Sequence, residues 1–373
     1  MWKRVKMGLE CDQLQSPPAS TKNTVALITG GLGFSTTEIY PPIGGCSLPS
    51  LPETRFGHEV FVQNDRVILC GGEVPSGASS SCLVLDAKNK RWEKNQVGEM
   101  TLSRQYSAAV SVENVGTYII GGRGVNAEAT TDFLAHGATE WVTGPDLPVS
   151  MEYPCVVKIS ELSFCAIYKN DIREYQVDIA NPTSSSGWQP AETWPSLQTS
   201  RKFQPGCALI DTNKVIIAGG YGPSPIHPAQ STWHKSSEVL DLATRKITYG
   251  GDMTSPRVNF NLATTTLDGA TTLFAIGGHS GGGPLDSVEV FHPTNNSWTL
   301  APTTIGERKA YFGQEVLQTK LVCPTIEGND CSFNRTLITN HFSPGPTTEE
   351  ATTAGKCCLL CWYVKKGHVL LCQ

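Results

Sequence analysis

Charge is scarce in this chain. Of its 373 residues only 17% are Asp, Glu, Lys or Arg, the net charge is -5, and no long basic run interrupts the pattern. The electrostatic footing on which a protein grips a phosphate backbone is therefore missing, and nucleic acid is not an expected ligand. Long apolar runs are missing too. Nothing approaches the roughly 18 residues that a membrane helix needs, and the nearest stretch, 357–364, is followed by Lys365 and Lys366. The first twenty residues carry basic side chains without a continuous apolar segment, so no cleavable secretory signal is read there. What is abundant is punctuation: Gly 36 and Pro 24, many Ser and Thr, and 39% hydrophobic residues. That composition belongs to short strands joined by turns and predicts an all-β chain.

Residues 24–36 read TVALITGGLGFST, an apolar run ending in Gly30 and Gly31. A glycine turn of this kind can open a dinucleotide-binding domain. Phe34 and Thr36, however, stand where that motif needs its later glycines, and Pro41 and Pro42 bar the helix that should follow. No Tyr-x-x-x-Lys pair occurs in the chain. The same ending instead recurs, at Gly71-Gly72, Gly121-Gly122, Gly219-Gly220 and Gly277-Gly278, and before each of these copies lies another strand-like run, so the unit is a hairpin. A further hairpin at 153–170 lacks the glycines. Glycine here is a structural requirement, a turn and a close approach at the end of the second strand, and phosphate is not needed to explain it.

Other anchors keep step. Trp92 follows Gly71 by 21 residues, Trp141 follows Gly121 by 20 and Trp298 follows Gly277 by 21. Arginine opens the units, at Arg55, Arg104, Arg201, Arg257 and Arg308, with Met151 filling the gap, in steps of 49, 47, 50, 56 and 51 residues. A period near 50, with Gly-Gly after the second strand and Trp on the fourth, resembles the kelch repeat. The resemblance covers 24–320 and implies a six-bladed β-propeller. Five complete blades start at 55, 104, 151, 201 and 257. The sixth is shared between the chain ends: 24–46 supplies its second to fourth strands and the run after Arg308 its first, which removes an open sheet edge. Residues 1–23 and 321–373 are expected to be unstructured and loosely ordered, respectively.

Some propellers of this superfamily are copper-radical oxidases, but the eight histidines form no spaced pair of ligands, and His58 reads as a buried, hydrogen-bonded side chain of the repeat. No cofactor and no catalysis are expected. The resemblance implies a platform that binds another protein through the loops at one mouth. An intracellular adaptor of the ubiquitin-ligase or actin-binding kind is the alternative, and a copper oxidase the third reading. The recurring arginines carry two readings: they grip an acidic segment of the partner at the channel mouth, or each ties its blade to the next through backbone carbonyls. Thirteen cysteines cannot all pair within the chain. The candidate bridges are Cys70 with Cys82, Cys155 with Cys165, and Cys323 with Cys331. With the sequons at Asn295 and Asn334 they weigh towards an extracellular context, the cytoplasm being the alternative.

Overall fold

The computed structural model describes residues 23–324, other than 225 and 268, together with two strands, Cys361–Lys365 and His368–Cys372. The strands of residues 23–324 form six antiparallel sheets that succeed one another around a ring, with two further two-stranded hairpins, Glu73–Val74 with Gly77–Ala78 and Tyr221–Pro223 with Ser231–Trp233. Blade 2 runs outward as Glu59–Gln63, Arg66–Cys70, Cys82–Asp86 and Arg91–Glu93. Blade 3 is Ala108–Val112, Gly116–Ile120, Thr131–Ala135 and Val142–Thr143, and blade 4 has three strands, Cys155–Ser160, Ser163–Tyr168 and Asp171–Gln176. Blade 5 is Gly206–Asp211, Lys214–Ala218, Ser236–Asp241 and Lys246–Asp252, and blade 6 is Asn261–Leu267, Ala270–Ile276, Val288–His292 and Ser297–Leu300.

Blade 1 is built from both ends of the propeller segment. Thr24–Thr29 pairs on one side with Gly313–Gln318, Ala26 opposite Val316, and on the other with Thr37–Tyr40. The fourth strand expected up to Cys46 is not present among the described residues. Residues 41–54 carry Pro41, Pro42, Pro49 and Pro52, which cannot donate to a ladder, and Cys46 is drawn into a bridge with Cys323, Cα to Cα 5.5 Å. The tail expected to loosen from 321 therefore starts tied down: Thr319–Leu321 is a turn of 3-10 helix, and Cys323 is buried. Within 334–373, a separate compact unit, Cys361–Lys365 and His368–Cys372 pair as a hairpin.

The apolar cores lie between blades, one at each of the six seams. Val25, Leu27, Leu69 and Trp92 fill the seam of blades 1 and 2, Phe61, Ile119 and Trp141 that of blades 2 and 3, and Ile216, Phe260 and Trp298 that of blades 5 and 6. A second strand is consequently buried on both faces, as Gly116–Ile120 is at every position, while an inner strand with one face on the channel alternates, as Ala108–Val112 does. This is why the runs before Gly-Gly are continuously apolar.

Each opening residue joins two blades. In five of the six its main-chain carbonyl accepts from the second glycine N–H of the preceding blade: Gly31 to Arg55 at 2.9 Å, Gly72 to Arg104 at 2.8 Å, Gly122 to Met151 at 2.9 Å, Gly220 to Arg257 at 2.7 Å and Gly278 to Lys309 at 2.8 Å. The approach leaves no room for a side chain, since a Cβ on Gly121 (φ +62°) would sit 2.3 Å from the Met151 carbonyl oxygen. The arginine side chain then reaches forward. Arg55, Arg104, Arg201 and Arg257 donate Nη1 to the first glycine carbonyl of their own blade, Gly71, Gly121, Gly219 and Gly277, at 2.5 to 2.8 Å.

These four guanidinium groups are fully buried, so a charge has to be balanced inside. Asp132, Glu238 and Glu289 on third strands do so, at 2.6, 3.1 and 2.9 Å from Arg104, Arg201 and Arg257. The same carboxylates accept backbone N–H groups of the opening loops, Thr101 on Asp132, Gln198 and Thr199 on Glu238, Thr254 and Ser255 on Glu289. In blade 1 the buried cation is Lys309, 2.8 Å from Glu38, and not Arg308, whose side chain is 73% exposed beside Asp286. Truncating Arg104 leaves Asp132 buried without its partner, a change that costs about 3 to 5 kcal/mol. Arg104→Ala is expected to lower the thermal midpoint by several degrees, and Arg104→Met with Asp132→Leu to recover most of it. A midpoint unchanged in Arg104→Ala would remove the arginine from the fold's support.

Candidate functional site

The burial of Arg55, Arg104, Arg201 and Arg257 takes them off the surface, so an acidic segment at the mouth does not meet their guanidinium groups. The residue two places further on leads into each inner strand, buried at Gly57, Tyr153 and Asn259 and partly exposed at Tyr106 and Tyr311. Gly57, Tyr106, Tyr153, Asn259 and Tyr311 occupy that position in five blades, and all five adopt left-handed backbone, φ 52 to 63°. A belt of backbone hydrogen bonds requires it: Gly57 N–H donates to Tyr311 O at 2.6 Å, Tyr106 to Gly57 at 2.8 Å, Tyr153 to Tyr106 at 3.2 Å, and Tyr311 to Asn259 at 3.1 Å. Glycine and asparagine tolerate this conformation; for tyrosine it costs roughly 1 to 2 kcal/mol per residue.

The rings converge. Tyr106 stacks on Tyr153 with centroids 4.7 Å apart and meets Tyr311 at 5.5 Å, while Phe56 lies 6.2 and 6.3 Å from Tyr106 and Tyr311. Gly57 is glycine because the Tyr106 ring lies over its α-carbon, and a Cβ there would be 2.8 Å from Tyr106 Cδ1. The aromatic arc continues through Phe203, Tyr221, Trp233 and His279, the last two stacked at 5.0 Å. Tyr221–Pro223 and Ser231–Trp233 form a small hairpin that carries two of these rings. Burial pushes the hydroxyl pKa values of Tyr106 and Tyr311 up, so both stay neutral donors. Arg123, half-exposed, donates to the Tyr153 hydroxyl at 3.3 Å. Phe203 is 39% exposed, the most open ring of the arc.

Beneath the rings the inner strands enclose a chamber of about 200 Å³, lined by Glu59, Ser107, Gln204, Asn261, Gln314, Glu315 and the Cys155–Cys207 bridge. No lysine, arginine or histidine lines it among the described residues. Desolvation raises the Glu59 carboxyl well above its ordinary range and pushes Glu315 up to about 8. His58 sits outside the chamber, buried, with Nε2 2.7 Å from Thr29 Oγ1; burial and the neighbouring Arg55 hold its pKa well below the usual value, so it is a neutral packing element. Among the described residues no group of three or more His, Cys, Asp or Glu side chains gathers closely enough to hold a metal ion.

The cysteines divide differently from expectation. Cys70 and Cys82 face each other across blade 2 and are bridged. Cys155 does not pair with Cys165. The hairpin register sets Cys155 opposite Ile167 and Cys165 opposite Val157, two residues out of step, with an irregularity at Lys158 to Ser160. Cys155 instead bonds Cys207 on the next inner strand, Cα to Cα 6.0 Å, and Cys165 is a buried free thiol. Cys323 pairs with Cys46; Cys331 and Asn334 lie outside the described residues. Asn295 is exposed in the turn before Ser297–Leu300, its Oδ1 accepting from Ser297 Oγ at 2.8 Å.

Sequence reasoning missed the tyrosines, although the pattern Arg-x-Tyr at 104–106 and Met-x-Tyr at 151–153 was there to be seen. It also missed the acids Asp132, Glu238 and Glu289. Each is a charge within a third strand, but loops of different length separate them from their glycines, so no fixed spacing marks them.

Comparison with known proteins agrees with this architecture. A model of the kelch motif matches residues 269–304. The solved structure titled "Structure of YjhT" superposes with a TM-score of 0.58 at 12% sequence identity, covering 76% of this chain and 95% of that one, a likeness of fold. No curated protein sequence matches the chain.

The raised Glu315 pKa makes stability depend on pH. Folded Glu315 stays protonated up to about pH 8, whereas its unfolded counterpart ionises near 4.3. Its contribution is therefore complete below about pH 4 and is lost as pH rises towards 8. The midpoint of the wild type is expected to fall more steeply between pH 5 and 8 than that of Glu315→Gln. Parallel curves would show that the chamber leaves the carboxylate ionised.

Proposed function

We propose that this kelch-type β-propeller is a non-enzymatic docking platform that holds a partner protein on the aromatic mouth. The observation that carries the reading is Tyr106, Tyr153 and Tyr311 in left-handed backbone where glycine or asparagine would be less strained. Strain of this kind marks positions whose side chains are wanted for something other than stability. Tyrosine and tryptophan bring large contact area at low cost in side-chain entropy and dominate the energetics of protein interfaces. The partner is accordingly recognised through apolar and aromatic groups. The acidic-segment reading loses most of its support once four of its five arginines are internal and only Arg308 stays exposed, beside Asp286.

Three disulfides among the described residues favour an oxidising, extracellular setting over a cytosolic adaptor. In that setting Asn295 is a site for N-glycosylation, placed at the end of the blades opposite the Gly-Gly loops, where a glycan leaves the mouth clear. Expression in a eukaryotic secretory host should give a protein that shifts on glycosidase treatment, with the Asn295→Gln variant lacking that increment; identical shifts for the two would exclude this site.

The docking reading is tested with Tyr106→Gly. Losing the ring removes stacking of about 0.5 to 1.5 kcal/mol while relieving backbone strain of similar size, so the melting midpoint should stay within a few degrees. Proteins captured from an extracellular fraction by the immobilised wild type should be bound about tenfold or more weakly by the variant. Equal capture by both would place the binding surface elsewhere.

A further inference from the structure

The seam between blades 4 and 5 departs from the other five. Blade 4 has no Gly-Gly, and the link that elsewhere runs from a glycine N–H to the opening carbonyl is missing there, leaving the N–H donation that every opening residue makes to the preceding blade, Arg201 to Lys169 O at 3.0 Å. The belt around the mouth is interrupted at the same place. Among the described residues no backbone bond joins Tyr153 to the 203–205 segment: Phe203 exchanges its N–H and carbonyl bonds with Tyr221, and Pro205 has no N–H to give. Belt bonds resume with Asn259 donating to Gln204 O at 3.3 Å. Across this gap the inner strands Cys155–Ser160 and Gly206–Asp211 are joined by Cys155–Cys207.

Access singles out the same bond. Cys155 and Cys207 are both partly exposed and line the chamber, whereas Cys70 and Cys82 are both buried and the Cys46–Cys323 bridge has one partly exposed end, Cys46, and one buried end. We propose that Cys155–Cys207 is a redox latch on the weakest seam of the ring, opened by a dithiol reductant and releasing the mouth at the Tyr153–Phe203 contact. One thiolate of the dithiol attacks a sulfur of the bridge, the other cysteine leaves as a thiolate, and the second thiol of the reductant displaces the first cysteine. Two electrons pass to the protein, both cysteines end as thiols, and the reductant becomes a disulfide. Cys165 does not shortcut this exchange. It is a buried member of the seam core on which both bridged cysteines pack, but burial and the nearby Glu174 push its thiol up, so it stays protonated and unreactive.

The test follows hydrogen exchange and alkylation of the full chain at rising dithiothreitol. Cys155 and Cys207 should be alkylated by iodoacetamide before Cys70, Cys82, Cys46 and Cys323. At that point exchange in 155–160 and 206–211 should be at least fivefold faster, with 59–63 of blade 2 unchanged. The Cys155→Ser with Cys207→Ser variant should show the same local acceleration without reductant. Alkylation of another pair first, or acceleration spread evenly over all six inner strands, overturns the latch, as does unchanged exchange at the seam once the bond is reduced.

Discussion

The ring depends on one residue per blade being shared by two. An opening residue such as Arg104 gives its main-chain carbonyl to Gly72 of the blade behind and its guanidinium to Gly121 of its own blade. Apolar packing between sheets holds them together but tolerates sliding, because it is proportional to area and has no direction. Hydrogen bonds at both ends of one residue remove that freedom at the mouth. The buried charge this introduces is a poor source of net stability, since desolvation offsets most of the attraction to Asp132; what it supplies is registration between consecutive sheets. Lys309 with Glu38 shows that a cation at the position is enough, and Met151 that the main-chain half can act alone.

That division explains what was legible in the sequence. The period, the hairpins, the glycine pairs and the Trp anchors are local, set by turns and by strands that must be apolar on both faces, so composition and spacing expose them. The closure of blade 1 was legible because only its first strand was missing at the start. Pairing between blades was not. Whether Cys155 meets Cys165 or Cys207 is decided by a two-residue offset in one hairpin and by how the next blade docks, 52 residues away. The arginines could be read as recurring but not as internal, since an isolated Asp or Glu in a third strand looks like a solvent-facing residue until the seam closes over it. The pattern of arginines points to Arg308 as the sixth anchor, whereas the structure selects for reach into the seam and uses Lys309.

The mouth illustrates how a repeat sets aside positions for use. The belt demands left-handed backbone at one place per blade, and the least costly occupants are the Gly57 and Asn259 found in blades 2 and 6. At Tyr106, Tyr153 and Tyr311 that demand is met against a steric cost, on contiguous ground, with the rings turned towards each other. The repeat can carry the cost because the six seam cores and the buried ion pairs over-determine the backbone beneath.

The disulfides stand where the non-covalent repeat falls short. Blade 2 has Leu83 where Asp132, Glu238 and Glu289 stand in other third strands, each opposite the second strand at the same register, and there Cys70 is bridged to Cys82 on the adjoining strands. The seam of blades 4 and 5 lacks both the glycine pair and the belt bond, and there Cys155 meets Cys207. Blade 1 lacks a fourth strand among the described residues and is assembled from segments nearly 300 residues apart, and there Cys46 is tied to Cys323 over a separation of 277. On chain-entropy grounds a loop as short as that between Cys70 and Cys82 stabilises by about 3 kcal/mol and one as long as Cys46 to Cys323 by about 5.5 kcal/mol. The larger effect thus falls on ring closure, which is the step with the greatest entropy to overcome, since it brings the two ends of the propeller together. Covalent bonds here substitute for repeat contacts one by one, and the bond that is also reachable from the chamber is the one whose loss the rest of its seam is least equipped to absorb.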